Sequence, residues 1–372
     1  MKLTKPYISY KEMFAASRIL KSGNLTQGKA SALFEKEICA YVGSKSAFVT
    51  SSATTGLHLS LDVLQIGDGD EVIIPDFSFP ATANSVIKVG ATPICVDIDL
   101  ETFCIDPNKI EENISEKTKA IMPVHAFGLC ANMPEIMKIA GKFNLRVIED
   151  AACAIGSTIN NQHAGTFGDC GVYSFHPRKL ITTGEGGAIT TSDSEIGELI
   201  GIARSHGGIR RELFMEFIES GYNFRLSDIN SAIGIEQLSK IHRIISARKK
   251  YAKMYDVIFE GNEFLTTPHV PMGYSHTYQS YVVLLSRGVD RNFIIRELRK
   301  MDIESTLGTY SISSQPYFEK YSARRKTEVP QSNFAFSQAL TLPLYPGMKS
   351  RDVAKVAKAV LTILERTYGK SL

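Results

Sequence analysis

Along the first two-thirds of the chain, short apolar runs alternate with segments in which apolar residues recur at helical spacing. Ala47–Thr50, Glu71–Pro75, Pro93–Asp97, Ala120–Val124 and Leu145–Glu149 read as strands, with Thr54–Leu64, Ala81–Val89 and Pro134–Phe143 as helices between them. That alternation predicts an α/β fold: a mostly parallel mixed sheet flanked by helices. Gly171–Phe175 and Gly187–Thr191 follow one another with no long helix between, which predicts a hairpin within the sheet. Leu226–Tyr251 reads as one long helix, because Ile229, Ile233, Leu238, Ile241 and Ile245 fall roughly on one stripe. It carries the chain out of a large domain, residues 1–245, into a smaller C-terminal α/β domain, residues 246–372. There Gln279–Leu285 reads as a strand, Asn292–Met301 as a helix and Arg351–Glu365 as an amphipathic terminal helix.

Composition narrows the picture by exclusion. A chain of 372 residues has ample core for two domains, and 44% hydrophobic with 22% charged residues is ordinary for a soluble globular protein. A net charge of +3 gives no reason to expect a nucleic-acid or membrane partner. The basic runs Arg248, Lys249, Lys250 and Arg324, Arg325, Lys326 read as solvated. Six cysteines without C-x-x-C spacing and eight scattered histidines predict no metal site, and free thiols in a reducing compartment. The N-terminal MKLTKPYISYKEMF lacks the apolar run of a signal peptide, so the expected location is the cytoplasm.

Three segments carry candidate chemistry. Ser174–Gly187 reads SFHPRKLITTGEGG, a lysine (Lys179) in a polar, glycine-rich loop after a β-prone run. A lysine that captures an aldehyde cofactor needs a rigid backbone with room beside it, although a single lysine is far more often a solvated charge. Arg146–Gly156 reads RVIEDAACAIG, which places Asp150 at the carboxyl end of a buried strand, where α/β sheets bind ligands. A carboxylate there either partners a protonated pyridine nitrogen or caps the following segment. Val49–Leu59 reads VTSSATTGLHL, a strand turning into a helix through small hydroxyl residues; this is an anion site or an ordinary helix cap.

These segments, with PDFSFPATANSVIKVGATPICVDID (Pro75–Asp99), MPVHAFG (Met122–Gly128), GYNFRLSDINSAIGIEQL (Gly221–Leu238) and LPLYPGM (Leu342–Met348), resemble the DegT/DnrJ/StrS family of sugar aminotransferases over nearly the whole chain. The resemblance implies a fold-type I enzyme using pyridoxal 5′-phosphate. By it, Lys179 carries the cofactor and shuttles a proton, and Asp150 meets the pyridine nitrogen. Phe79 lies against the ring, and Ser174, Thr54 and Thr55 bind the phosphate. Asn223 and Arg225 reach the phosphate region from the neighbouring subunit of a homodimer. The implied reaction moves an amino group from L-glutamate onto a keto group of a nucleotide-linked deoxysugar. The same chemistry on a keto-cyclitol of an aminoglycoside pathway, or a non-catalytic cofactor-binding regulatory protein, stand as alternatives.

The chain departs from the family pattern at three places. Ala53 stands where the family often has Gly, and Cys153 where it often has a Gln that contacts the cofactor's ring hydroxyl. Thr306–Phe318, TLGTYSISSQPYF, lacks a frequent histidine–tyrosine pattern near the substrate mouth; its serines and tyrosines between Tyr310 and Tyr317 suit a sugar or form a plain surface loop. Relatives that replace the lysine with histidine become dehydratases, and here Lys179 is retained.

Overall fold

A computed structural model describes residues 1–322 and 327–369. The run Arg324, Arg325, Lys326 lies outside the described residues. Seven strands form the central sheet: β1 (Ser46–Thr50), β2 (Glu71–Pro75), β3 (Thr92–Val96), β4 (Thr118–Ile121), β5 (Arg146–Asp150), β6 (Cys170–Ser174) and β7 (Gly187–Thr191). Their spatial order is β1-β7-β6-β5-β4-β2-β3. Only β7 runs against its neighbours, so the sheet is mostly parallel and mixed, and the Lys179 loop closes the β6–β7 hairpin. β4 stops at Ile121, short of the expected Val124, because Pro123 has no N–H to extend the ladder; Val124 keeps one bridge, to Asp150.

Eight helices follow from the N-terminus: α1 (Tyr10–Ser22), α2 (Lys29–Val42), α3 (Ala53–Val63), α4 (Pro80–Lys88), α5 (Met133–Phe143), α6 (Ser194–Ala203), α7 (Asp228–Leu238) and α8 (Ile241–Phe259). Helices α3, α4 and α6 cover one face, packing Leu57, Val86 and Ile200 on Ile74, Ile148 and Val172. Helices α2, α5 and α8 cover the other, packing Phe34, Ile136 and Ile244 on Ile73, Val147 and Tyr173. Each such buried side chain contributes about 1.5–3 kcal/mol, and burial on both faces explains why these strands read as continuous apolar runs.

Three expectations fail for tertiary reasons. The single helix expected over Leu226–Tyr251 is two, broken at Ser239–Lys240. α7 buries small residues, Ser231, Ala232 and Gly234, against α1 and α2, and a Cβ on Gly234 would lie 2.5 Å from Phe34. α8 then turns toward a different core, and the expected stripe splits: Leu238, Ile241 and Ile245 are buried, Ile229 and Ile233 half-buried. Arg248, expected in solvent, is 1% exposed and donates to the carbonyls of Tyr278 and Gln279 at 3.0 and 2.9 Å. Burial pulls its pKa down to about 10. Finally, α1 and α2 are absent from the pattern reading, although Ser9 and Glu12 form the S-x-x-E capping box that starts α1. Burial pushes the Glu12 carboxyl up, but hydrogen bonds from Lys240, Ser9 and Gln237 outweigh it and hold its pKa at about 2.

A second, antiparallel sheet has the order Leu265–Thr266, Tyr281–Leu285, Ala339–Leu342, Thr306–Leu307. Its core joins Tyr281 and Leu340 to Leu298 of helix Arg291–Lys300 and Val356 of helix Ser350–Tyr368. α8 links the two bodies, with Ile241 and Ile244 in the first core and Ala252, Tyr255 and Phe259 in the second. Among the described residues, no helix is long and apolar enough to cross a membrane.

Candidate active site

The parallel topology gathers chemistry at one edge of the sheet. Asp150 ends β5 and Ser174 ends β6, and the ladder sets Asp150 opposite Val172 and Ser174 opposite Gly187. Gly187 in turn faces Thr50, the end of β1. A Cβ on Gly187 would lie 2.6 Å from the Ala53 nitrogen, so only glycine lets β7 pass this close to the start of α3. Ser52 caps that helix and shares a capping box with Thr55. The N–H groups of Ala53 and Thr54, in the first turn, have no intrahelical acceptor and face the helix's positive end. Thr54 is exposed and Thr55 half-buried, and the Thr55 hydroxyl is engaged with the Ser52 carbonyl at 2.8 Å. Of the two, Thr54 is free to meet an anion.

Asp150 is buried on the α4 side of the sheet. Thr82 Oγ1 donates to Asp150 Oδ2 at 2.8 Å, and the Ala152 N–H donates to Oδ1 at 3.2 Å. Burial pushes the Asp150 carboxyl pKa up, opposed by those two hydrogen bonds and by attraction from Lys179 and His125. Lys179 reaches back from the β6–β7 loop to the turn after β5, where its Nζ donates to Cys153 Sγ at 3.1 Å. The structure therefore brings Lys179, Asp150 and Ser174 to adjacent strand ends. Ser174 Oγ accepts from the His176 N–H at 3.4 Å.

Phe79 is the N-cap residue of α4 and is 64% exposed, which rules out the plain core packing that its residue type suggests. Its ring stands edge-on to Tyr310 at 6.4 Å between centroids. Tyr310 is held there by the backbone: Tyr310–Ser311 pairs with Phe77–Ser78. Asp76, buried at the end of β2, accepts from Ser311 Oγ at 2.7 Å and from the Ser313 N–H at 2.8 Å. The beginning of the Tyr310–Tyr317 segment is thus bound to the sheet edge and is not a free surface loop.

Asn223 and Arg225 lie on a segment that pairs with the end of β1, through a Thr50–Arg225 bridge and a Ser51 N–H to Phe224 carbonyl bond of 2.8 Å. Arg225 Nε donates to Asn223 Oδ1 at 3.0 Å, and the guanidinium also meets His206. These side chains bond to one another and to His206, and the structure gives them no hydrogen bond to Lys179, Asp150 or Ser174. Sequence reasoning missed Thr82, Tyr310 as a partner of Phe79, and the Cys153 contact. Thr82 was legible from Pro80, which starts a helix and so puts residue 82 in its first turn.

The donor set suits an aldehyde that carries a pyridine ring and a phosphate: an amine, a buried carboxylate, an exposed aromatic face, and a helix N-terminus beside a hydroxyl. Residues 6–361 match the DegT/DnrJ/EryC1/StrS aminotransferase family. The GDP-perosamine synthase of Caulobacter vibrioides is 36% identical over 89% of each chain. PseC of Helicobacter pylori, an aminotransferase involved in the biosynthesis of pseudoaminic acid, is 31% identical, with a TM-score of 0.93 over 98% of this chain and 99% of that one. The putative sugar aminotransferase Spr1654 of Streptococcus pneumoniae, in its PLP form, is 27% identical, with a TM-score of 0.92 over 98% and 99%. The chain belongs to the DegT/DnrJ/EryC1/StrS family and is a pyridoxal-phosphate-dependent aminotransferase that acts on a sugar.

Proposed function

We propose that this enzyme takes an amino group from L-glutamate and delivers it to a keto carbon of a nucleotide-linked deoxysugar. The observation that carries the reading is the meeting of Lys179 with the Asp150 turn at the sheet edge, through the 3.1 Å contact of its Nζ with Cys153. When bound, pyridoxal 5′-phosphate supplies the electron sink and the amino carrier that no side chain provides. Lys179 Nζ binds the aldehyde end and holds or moves the proton there. Asp150, raised by burial yet hydrogen-bonded by Thr82, holds a proton on the ring nitrogen. Ser174 Oγ and the N–H groups of Ala53 and Thr54 bind the phosphate, with Thr55 shaping the turn. Phe79, exposed at the N-cap of α4, would lie against the ring and exclude water there.

In this reading the enzyme is a cytoplasmic two-fold homodimer, in which Asn223 and Arg225 of each subunit serve the other's phosphate site. Membership of the family supports that role across the boundary, and six free cysteines suit a reducing compartment. The change of core along α8 supports a division into residues 1–245 and 246–372. Borohydride treatment followed by peptide mapping should fix the cofactor on Lys179, and a label elsewhere sinks the assignment. Lys179→Ala and Asn223→Ala proteins, each inactive, should regain part of the activity when mixed as heterodimers. Keto-nucleotide sugars should then accept the amino group much faster than pyruvate; equal rates overturn the substrate class and leave the cofactor chemistry standing.

A further inference from the structure

Lys179 and Cys153 approach one another from different loops. Cys153 stands in the turn after β5, which is pinned from within: the Ala152 N–H donates to Asp150 Oδ1 at 3.2 Å, and the Ala154 N–H to the Ala151 carbonyl at 2.8 Å. Lys179 stands in the β6–β7 loop, its own N–H donating to the His176 carbonyl at 2.8 Å. The 3.1 Å bond from Nζ to Sγ ties the two loops together, and among the described residues Cys153 is the one hydrogen-bond partner of that amine. An ammonium has three donors and no acceptor, so removing its partner in a half-buried place weighs against the charged form.

We propose that Cys153 is a positioning residue for Lys179: its sulfur is the acceptor that holds the amine beside the Asp150 turn. The charged and titratable groups facing the amine are Cys153 and Asp150 from that turn and His176 from its own loop. Burial works against the ammonium, but electrostatic attraction to Cys153, the hydrogen bond to its sulfur and the Asp150 charge outweigh it and hold its pKa above that of an ordinary lysine. Without the sulfur, burial is opposed by Asp150 alone, and the amine gives up its proton at lower pH. Only the neutral amine attacks a carbonyl, so Cys153 sets the pH range over which the protein takes up its cofactor.

The inference rests on the reading of Lys179 as the cofactor-binding lysine, which borohydride mapping tests separately. Trace acetylation of the full-length cofactor-free protein at a series of pH values, read by peptide mass spectrometry, gives the protonation midpoint of Lys179. In Cys153→Ala that midpoint should fall by about one pH unit, making Lys179 about tenfold more reactive at pH 8. Cys153→Ser keeps a hydrogen-bond acceptor without the sulfur's electrostatic attraction and should fall between the wild type and the alanine protein. Cys153→Val repeats the apolar arm should the alanine protein not fold. In the holoenzyme, the titration of the visible absorbance band should move more in the apolar variants than in the serine one. An unmoved midpoint in Ala or Val, or equal displacement in Ser and Ala, overturns the proposal. If borohydride still labels Lys179 in that case, the aminotransferase reading survives it.

Discussion

Glu149 and Asp150 are consecutive carboxylates on β5, yet they face opposite sides of the sheet and meet opposite environments. Glu149 is saturated: its oxygens accept from the N–H groups of Gly165 at 2.8 Å, Phe167 at 2.7 Å and Gly168 at 2.8 Å, and from His125 Nε2 at 2.9 Å. His125 Nδ1 accepts the Ala131 N–H at 3.0 Å, so Nε2 carries the proton that Glu149 receives. Among the described residues, Asp150 accepts only from Thr82 and Ala152, which leaves lone pairs on both oxygens. One carboxylate is spent on holding loops, and the other is buried with capacity in reserve. Both are buried carboxylates, so hydrogen-bond saturation is what separates the structural acid from the candidate functional one.

Substitutions at the two positions should therefore fail in different ways. Asp150→Asn should cost turnover on the order of 10²–10⁴-fold while leaving thermal stability nearly unchanged, because its amide oxygen can accept the Ala152 N–H while its NH₂ donates to the Thr82 hydroxyl, which can turn to accept. Normal turnover in that variant would place the ring-nitrogen partner elsewhere. Glu149→Gln should do the reverse, since its new NH₂ group must face backbone N–H donors. A stability loss of about 2–4 kcal/mol in denaturant unfolding is expected, with the folded fraction still binding cofactor.

Smaller changes sharpen the contrast. Thr82→Val removes one of Asp150's hydrogen bonds and lets burial raise its carboxyl pKa further. Cofactor affinity should fall by about 1 kcal/mol, a several-fold rise in dissociation constant measured by titration. The smallest effect is on the pH dependence of the cofactor-free protein. Because the folded pKa of Asp150 lies above its unfolded value, the folded state holds the proton more tightly, and its contribution to stability is largest below the unfolded carboxylate pKa. That contribution is lost as pH rises through the folded pKa. The stability difference between wild type and Asp150→Asn should accordingly decline across that window; a rising or flat difference contradicts the buried, raised carboxyl.

Much of the site was legible in the chain as text. Asp150 reads as a strand end because Val147 and Ile148 precede it, and Lys179 reads as a loop lysine because glycines follow it. Both are local statements, and the parallel topology converts them into neighbours. Three other things were hidden. The close packing of α7 depends on the fit of Gly234 to Phe34, a contact between residues far apart in sequence. The burial of Arg248 depends on two carbonyls, those of Tyr278 and Gln279, that arrive from another segment. The capping box of α1 was written in the sequence, but α1 leaves its larger apolar residues Tyr10, Met13, Phe14 and Leu20 exposed and is fixed by α7 and Lys240, which no periodicity announces.

The sequence by itself determined the alternation of strands and helices, the α/β class, and the residue types able to take an aldehyde, a pyridine nitrogen and a phosphate. These follow from side-chain periodicity and functional-group chemistry, which act over a few residues. Only the tertiary structure decided that Cys153 meets Lys179, that Phe79 faces Tyr310 in the open, and that Glu149 is saturated while its neighbour is not. Such outcomes depend on which distant backbone donors and side chains pack around each group, and burial gives each of those contacts its energetic weight.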